Sequence, residues 1–346
     1  AGTMQYLHNR FQERTDPTVY FPGAKSIICV AVNYHAPLDA HSPPLPLSRD
    51  TARGQGNVCS QSTSQSHFTS NLLPLLYPGE GGGEGVPSQK PPSHGKIARY
   101  ALGDDYHDIL KPKLHQLADW LRAQVPSAHT RAAVDTAPVM EKELAARAGI
   151  GWLAKNTCII NERIGSWLLL GELFTTLDLP PDNPAIDRCG TCTRCIEACP
   201  TGAITEPYKL DARKCISYLT IEHRADIPEL LAPQIGDWLY GCDICQEVCP
   251  WNRKAPMFDM PELTPRFPTG TLDVNEVLNW TDDRYRQVLK GSAAKRVKLP
   301  VLQRNARIVA GNLANGRADE SVHAVRDSAG NGLPIPSIPT SPSPPD

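Results

Sequence analysis

Eight of the eleven cysteines lie between Cys189 and Pro250, at spacings typical of metal ligands. The first run has the pattern C-x2-C-x2-C-x3-C-P and comprises Cys189, Cys192, Cys195 and Cys199. In bacterial iron–sulfur proteins, three cysteines of such a run hold one 4Fe–4S cluster and the fourth binds a second cluster. The sequence therefore predicts an electron-carrying segment with two clusters.

The second run has the pattern C-x2-C-x3-C-P and is one cysteine short of a full set, which leaves Cys215 as the nearby candidate. When the last ligand of each run crosses to the other cluster, all eight sulfurs are used. The first set is then Cys189, Cys192, Cys195 and Cys249, and the second set is Cys199, Cys215, Cys242 and Cys245. Paired C-x2-C steps are also typical of zinc sites, so two zinc ions remain the alternative.

Length and charge restrict the class of protein. A chain of 346 residues is long enough for two or three domains. The formal net charge of −2 argues against a globally basic nucleic-acid binder. Clustered cysteines are typical of a reducing compartment, and the longest apolar runs are too short to span a bilayer. We therefore expect a cytoplasmic protein that does not enter a membrane.

Hydrophobic periodicity predicts alternating strands and helices in the N-terminal half. The run Ser26–Tyr34 is apolar and β-branched, as in a buried strand, and a helix with apolar residues from Leu110 to Val125 has Pro112 in its first turn. Strands are predicted at 132–134, 158–160 and 166–173, and a helix at 139–148, with Cys158 packed inside its strand. Such alternation indicates an α/β or α+β domain. The predicted division is 1–180 with a low-complexity insertion at about 36–95, 181–255 for the clusters, a helical region at 256–318, and a Pro/Ser-rich tail at 319–346.

Asp135 is the candidate that points to chemistry outside the cysteines. It follows a predicted strand and precedes a turn and a helix, where ligands tend to bind in sheet proteins. The alternative is an ordinary helix-capping or turn aspartate. His107 and His223 have no ligand-spaced partner and are interpreted as structural. No glycine pattern between a strand and a helix indicates a dinucleotide site.

The stretch Arg284–Arg307 has eight cationic residues and no carboxylate. Charged runs of this kind are usually solvated helix faces. In a slightly acidic chain, the stretch also fits a surface that faces phosphates.

Taken together, these motifs resemble one family, epoxyqueuosine reductase. The resemblance covers 19–34 and 96–312, and the insertion and the tail depart from it. The matching residues, besides the two cysteine runs, are Lys96–Ala101, Asp105–His107, Asp135–Pro138, Ala145–Trp152, Lys155–Thr157, Cys215–Glu222, Pro261–Arg266, Gly291–Arg296 and Arg304–Ala306.

The resemblance implies an α+β protein with a nitroreductase-like cobalamin-binding domain, a ferredoxin-like domain with two 4Fe–4S clusters, and a small HEAT-like helical region. It implies a monomeric enzyme that reduces the epoxide of epoxyqueuosine at the tRNA wobble position to queuosine. Electrons would pass from an external low-potential donor through the clusters to cob(II)alamin. Asp135 would be the carboxylic acid that donates a proton, provided that its site keeps it protonated near neutral pH.

The family's binding residues carry over to matching positions. Cobalamin contacts are expected from Asp135, Lys155, Asn156, Ile159, Leu170, Ser217, Cys242 and Asp243, and tRNA contacts from Arg286, Lys295, Arg296, Lys298 and Arg304. His107 is not assigned as a cobalt ligand, because the string that begins at Asp105 lacks the glycine of D-x-H-x-x-G.

Two other functions share some of these features. A corrinoid reductive dehalogenase would share the clusters and the cofactor, but such proteins usually have a twin-arginine signal and act on small molecules. A plain ferredoxin-like electron carrier would not need the structured sequence that precedes the clusters.

Overall fold

A computed structural model describes Met4 and residues 9–38, 93–257 and 260–317. Most of the predicted insertion, and the tail from 319 onward, lie outside the described residues. The helices are α1 Phe11–Thr15, α2 Pro17–Tyr20, α3 Tyr106–Gln124, α4 Glu141–Arg147, α5 Arg194–Glu197, α6 Ile216–Ile221, α7 Ile244–Glu247, α8 Val274–Leu278, α9 Asp282–Val288 and α10 Leu299–Ala314. The strands are β1 Ser26–Asn33, β2 His94–Ile97, β3 Thr130–Ala133, β4 Trp152–Leu153, β5 Ile159–Ile160, β6 Leu168–Thr175, β7 Ile204–Glu206, β8 Lys209–Leu210, β9 Trp238–Tyr240 and β10 Thr271–Asp273.

The first sheet has the strand order β1-β6-β3, with both outer strands antiparallel to β6. Helix α3 packs on one face of this sheet, where its Leu110 and Leu114 join Leu169 and Leu173 in one apolar core. The predicted strand at Ser26–Tyr34 and the predicted helix are therefore confirmed. The helix begins earlier than predicted, because the Asp105 side chain accepts a hydrogen bond from the backbone N–H of His107. Pro112 consequently lies inside the helix, so the prediction that it occupies the first turn is wrong.

The segment after Asp135 also follows the predicted order. Helix α4 occupies most of the predicted range, and Gly149 just beyond it has a φ of +72°. This left-handed conformation is one that glycine adopts without strain. The predicted strand at 158–160 is β5, which pairs with the short strand β4 that the sequence pattern did not indicate.

The second sheet has the order β10-β2-β9 and takes one strand from each of the three predicted folded domains. The Cβ atom of any larger residue at Gly95 would lie 2.9 Å from the Leu239 Cβ atom, so only glycine fits there. The three C-terminal helices pack on this sheet around Val277, Leu289 and Val309, all fully buried. The predicted helical character after 256 is confirmed, although β10 was not foreseen. The division into separate domains remains a prediction.

Among the described residues, no helix combines the length and the apolar character that crossing a membrane requires.

Candidate functional site

The eight cysteines lie in two groups that correspond to the two predicted sets. Burial raises the pKa of Cys249 to about 12, and the nearby thiols of Cys195, Cys189 and Cys192 add to this shift. Burial likewise raises the pKa of Cys242, with further contributions from Cys215 and Cys199. The pKa of Cys245 is raised by its hydrogen bond with Cys158, by burial, and by Cys242 and Cys215. We call these groups the first set (Cys189, Cys192, Cys195, Cys249) and the second set (Cys199, Cys215, Cys242, Cys245).

Cys158 contacts the second set, although the sequence indicated only a packed strand residue. It forms a side-chain hydrogen bond with Cys245. In the part of the chain that the structure describes, no three His, Cys, Asp or Glu side chains are close enough to hold a single metal ion. The assignment of each cysteine as a cluster ligand remains a prediction.

The segment from Trp152 to Asn156, which comprises β4 and the turn after it, contacts both sets. The Trp152 indole Nε1 donates a hydrogen bond to the Cys189 Sγ atom at 3.4 Å. The Lys155 Nζ atom donates to the carbonyl oxygens of Gly190 at 2.6 Å and Cys192 at 3.0 Å. The Asn156 side chain donates to the carbonyl oxygen of Cys245 at 3.3 Å. Lys155 and Asn156, predicted to contact the cofactor, thus bind the cysteine loops directly.

Asp135 lies two residues beyond β3, with a φ of +42°. Its side chain is 51% exposed, and its Oδ2 atom lies 3.4 Å from the Nε2 atom of His107. The Nδ1 atom of His107 lies 2.7 Å from the Oδ1 atom of Asp105. The backbone N–H of Asp135 donates to the Oε1 atom of Glu141. The helix-capping alternative is wrong, because the residue that precedes α4 is Met140.

The proton in this array is on the imidazole. The hydrogen bond to Asp105, and then the nearby carboxylate of Asp135, raise the pKa of His107 to about 9. The contact with His107 lowers the pKa of Asp135, so at rest Asp135 is a carboxylate. Burial, followed by the charge of Asp135, raises the pKa of Glu141 to about 7. At neutral pH Asp135 is therefore a carboxylate beside a protonated His107, and not the protonated acid that was expected.

His107, interpreted from the sequence as structural, lies in contact with the predicted acid Asp135. The signal in the sequence was the pair Asp105 and His107, two residues apart at the start of a helix. Its second partner, Asp135, is distant in sequence and is brought close only by the packing of α3 against the sheet.

The face of the first sheet opposite α3 has a buried acid. Leu170 and Glu172 lie on this face, because alternate residues of a strand share one side. Glu172 is fully buried, and neither of its carboxyl oxygens has a hydrogen-bond partner among the described residues. Burial raises the pKa of Glu172 to about 9, and Glu141 and Asp135 add to the shift. A neutral carboxyl group here offers both a donor and an acceptor to an uncharged polar ligand group.

The remaining predicted cofactor residues lie in β5, in α6 and beside Cys242. Ile159 is buried in β5, and Ser217 is half-buried in α6, two residues after Cys215. Asp243, next to Cys242, is 1% exposed, and its Oδ2 atom accepts a hydrogen bond from the backbone N–H of Arg99 at 2.7 Å. Burial raises the pKa of Asp243 to about 7.

Four of the five predicted tRNA-binding residues are exposed. Arg286 pairs with Asp283 at 2.9 Å, Arg296 pairs with Glu222 at 2.6 Å, and Lys295 and Lys298 are also at the surface. Arg296 is close enough to Asp135 for its charge to lower the pKa of that carboxyl. We call Arg286, Lys290, Lys295, Arg296 and Lys298 the basic surface.

Arg304 does not belong to this surface. Its guanidinium is half-buried and donates hydrogen bonds to the carbonyl oxygens of Leu219 at 2.7 Å and His223 at 2.8 Å. The expectation that Arg304 contacts tRNA is therefore corrected: its hydrogen bonds are already used in holding α10 against the cluster segment.

Two family models match parts of this chain. Residues 188–252 match a family described as "4Fe-4S double cluster binding domain", which confirms the predicted two-cluster segment and disfavours zinc. Residues 75–136 match a family described as "Epoxyqueuosine reductase QueG".

Whole-chain relatives agree with the two family matches. An epoxyqueuosine reductase from Gloeobacter violaceus is 37% identical over 90% of this chain and 83% of its own length. One from Synechocystis sp. is 48% identical over 62% of this chain and 75% of its own length.

Solved structures show the same relationship. A crystal structure of an epoxyqueuosine reductase with an epoxyqueuosine-modified tRNA-Tyr stem loop matches with a TM-score of 0.70 at 28% identity, over 94% of this chain and 73% of that one. The Bacillus subtilis enzyme, with its catalytic aspartate loop swung out of the active site, matches with a TM-score of 0.69 at 28% identity, over 88% of this chain and 68% of that one. The chain therefore belongs to the epoxyqueuosine reductase family.

Proposed function

We propose that this protein reduces the epoxide of epoxyqueuosine in tRNA to give queuosine. The observation that carries the proposal is the Asp105–His107–Asp135 array, in a chain of this family that also has two sets of four cysteines. Removal of the epoxide oxygen as water consumes two electrons and two protons. The cysteine sets provide the electron path, and the array provides a proton-holding group.

Cobalamin is the proposed cofactor, and one observation supports the fit. The edge of a corrin ring carries neutral amides, and the unpartnered Glu172 carboxyl is a neutral acid suited to hydrogen-bond an amide. When bound, cobalamin would supply low-potential cobalt chemistry that accepts electrons one at a time. Leu170 and Ile159 would contact it through apolar side chains, and Ser217, Cys242 and Asp243 would border it on the side of the second set.

The protein's own residues would orient the substrate and move the proton. Asp135 is exposed enough to reach a bound nucleotide, and His107 holds the proton one contact away. As negative charge develops on the epoxide oxygen, the proton would pass from the Nε2 atom of His107 through the Oδ2 atom of Asp135 to that oxygen. Asp105 would hold the imidazole in the required orientation through the Nδ1 atom.

The finer architecture in this proposal follows the family. The first sheet with α3 and α4 would be a nitroreductase-like domain over 1–180, residues 181–255 the ferredoxin-like domain, and α8–α10 a HEAT-like region within 256–318. We propose a monomer in the cytoplasm, where tRNA and reducing conditions coexist, supplied by an external low-potential electron donor.

The direct test is conversion of modified tRNA. Anaerobic protein loaded with iron, sulfide and cobalamin, and reduced with a low-potential donor, should convert epoxyqueuosine to queuosine in a tRNA stem loop, as measured by mass spectrometry of the nucleosides. Absence of conversion, together with release of halide from a haloaromatic compound, would favour the dehalogenase alternative.

The basic surface should bind tRNA phosphates. Changing Lys295 and Lys298 to Glu should weaken stem-loop binding on the order of tenfold and reduce the salt slope of log K by roughly 0.7 for each phosphate that is no longer neutralised. Changing Lys25 and Arg122 to Glu provides a control with the same net charge at another exposed site. Equal affinity and an equal salt slope in the Lys295/Lys298 variant and this control would show that the surface is only solvated.

A further inference from the structure

A buried tryptophan donates a side-chain hydrogen bond to the first cysteine set. Trp152 is 3% exposed, and its indole N–H points at the Cys189 Sγ atom from 3.4 Å. Its ring packs edge-on against Trp251, with the ring centroids 5.1 Å apart, so its orientation is held by packing. A hydrogen bond to a cluster thiolate stabilises the more negative, reduced cluster more than the oxidised one, which raises the reduction potential.

The loop of the first set also contains a buried cation. Lys155 is 9% exposed, and its Nζ atom is held by the carbonyl oxygens of Gly190 and Cys192. A positive charge that is largely removed from water stabilises an added electron nearby. The carboxylate of Asp187 opposes this effect from the surface, where water screens it.

The second set also receives hydrogen bonds. The Ala203 backbone N–H donates to the Cys199 Sγ atom at 3.3 Å, and Cys158 forms a side-chain hydrogen bond with Cys245. The first set differs in that its loop also holds the buried ammonium group of Lys155, whose positive charge favours an added electron on the first cluster.

We propose that Trp152 and Lys155 make the cluster on the first set the more readily reduced of the two. Each cluster takes up one electron from the external donor, passing from the 2+ to the 1+ state, and the first cluster therefore fills first. This inference rests on the two clusters of the proposed function but not on the identity of the substrate.

The experiment is a redox titration of the anaerobic, cluster-loaded protein, followed by electron paramagnetic resonance. Two one-electron waves are expected, and Trp152→Phe should lower the higher one, reducing the reduced-to-oxidised ratio at a fixed potential by about 3- to 10-fold, where tenfold corresponds to 59 mV. Lys155→Gln should lower the same wave by removing the charge. Trp120→Phe, which removes an exposed indole on α3, should leave it in place.

The outcomes separate the inference from the proposed function. Two results would overturn the inference but leave the two proposed clusters in place, provided that the protein holds about eight irons per chain. One is that both waves occur at the same potential. The other is that the higher wave is unmoved in both Trp152→Phe and Lys155→Gln. If the Trp152→Phe protein loses iron, the potential of the higher wave in Lys155→Gln alone tests the inference. A protein that cannot be loaded with iron would overturn the inference together with the cluster part of the proposed function.

Discussion

Replacing Asp135 with Asn is expected to slow single-turnover conversion of epoxyqueuosine by roughly 10²–10⁴-fold, because the amide cannot accept a proton from His107 and pass it on. The substitution is structurally mild. Asn tolerates a positive φ as Asp does, so the value of +42° causes no added strain. Cluster content and tRNA binding should therefore remain at the level of the parent protein. Asp119→Asn, on the exposed side of α3, is the matched control.

The pH profile tests the same array. Because the pKa of His107 is raised from 6.5 to about 9, the ring is protonated at neutral pH and loses its proton as the pH rises through the higher value. The rate of the parent protein should fall above about pH 9. The stability that the charged ring contributes is complete below pH 6.5 and is lost as the pH rises to about 9. An Asp135→Asn rate within a few-fold of the parent, or a parent profile that stays flat through about pH 10, would remove Asp135 and His107 from the proton path.

Replacing Cys215 with Ser is expected to remove the second cluster and with it all turnover. Iron should fall from about eight to about four per chain, because four cysteines hold each 4Fe–4S cluster. The first set lacks Cys215 and should keep its cluster and its spectroscopic signal. Without the second cluster the electron path is interrupted, so no epoxide is reduced even when the first cluster has been reduced.

Cys29→Ala is the matched control for Cys215→Ser. The residue lies in β1, outside both sets. This variant should keep all its iron. If Cys215→Ser also kept about eight irons, the second set would be wrong, and Cys158, which contacts Cys245, would be the replacement ligand to examine.

Local patterns were the reliable part of the sequence. The β-branched run of β1 and the apolar face of α3 each depend on neighbours within a few residues, and both appear in the structure. The spacing of the cysteines is equally local, and the two-cluster segment that it predicts is confirmed by the family match. Arg304 illustrates the limit. It stands in a basic run, but its guanidinium is bound by backbone carbonyls of α6 and the turn after it. A charge count cannot distinguish a buried structural arginine from a phosphate ligand.

The proton path and the second sheet required tertiary structure. The contact between His107 and Asp135 joins a helix start to a strand end, and nothing in either segment alone indicates the other. Strands β2, β9 and β10 are three or four residues long, too short for an alternating pattern to be distinguished from a loop.

The order of the second sheet also has a consequence for biosynthesis. Strand β2 leaves the ribosome first, whereas β9 follows only after the first cysteine run and β10 only after both runs. The second sheet therefore cannot close until the two later segments have been synthesised, unlike a domain with only local contacts. Until Asp273 has emerged, the sheet stays open at β2, which leaves an interval in which iron and sulfide can be delivered to thiols that are later covered.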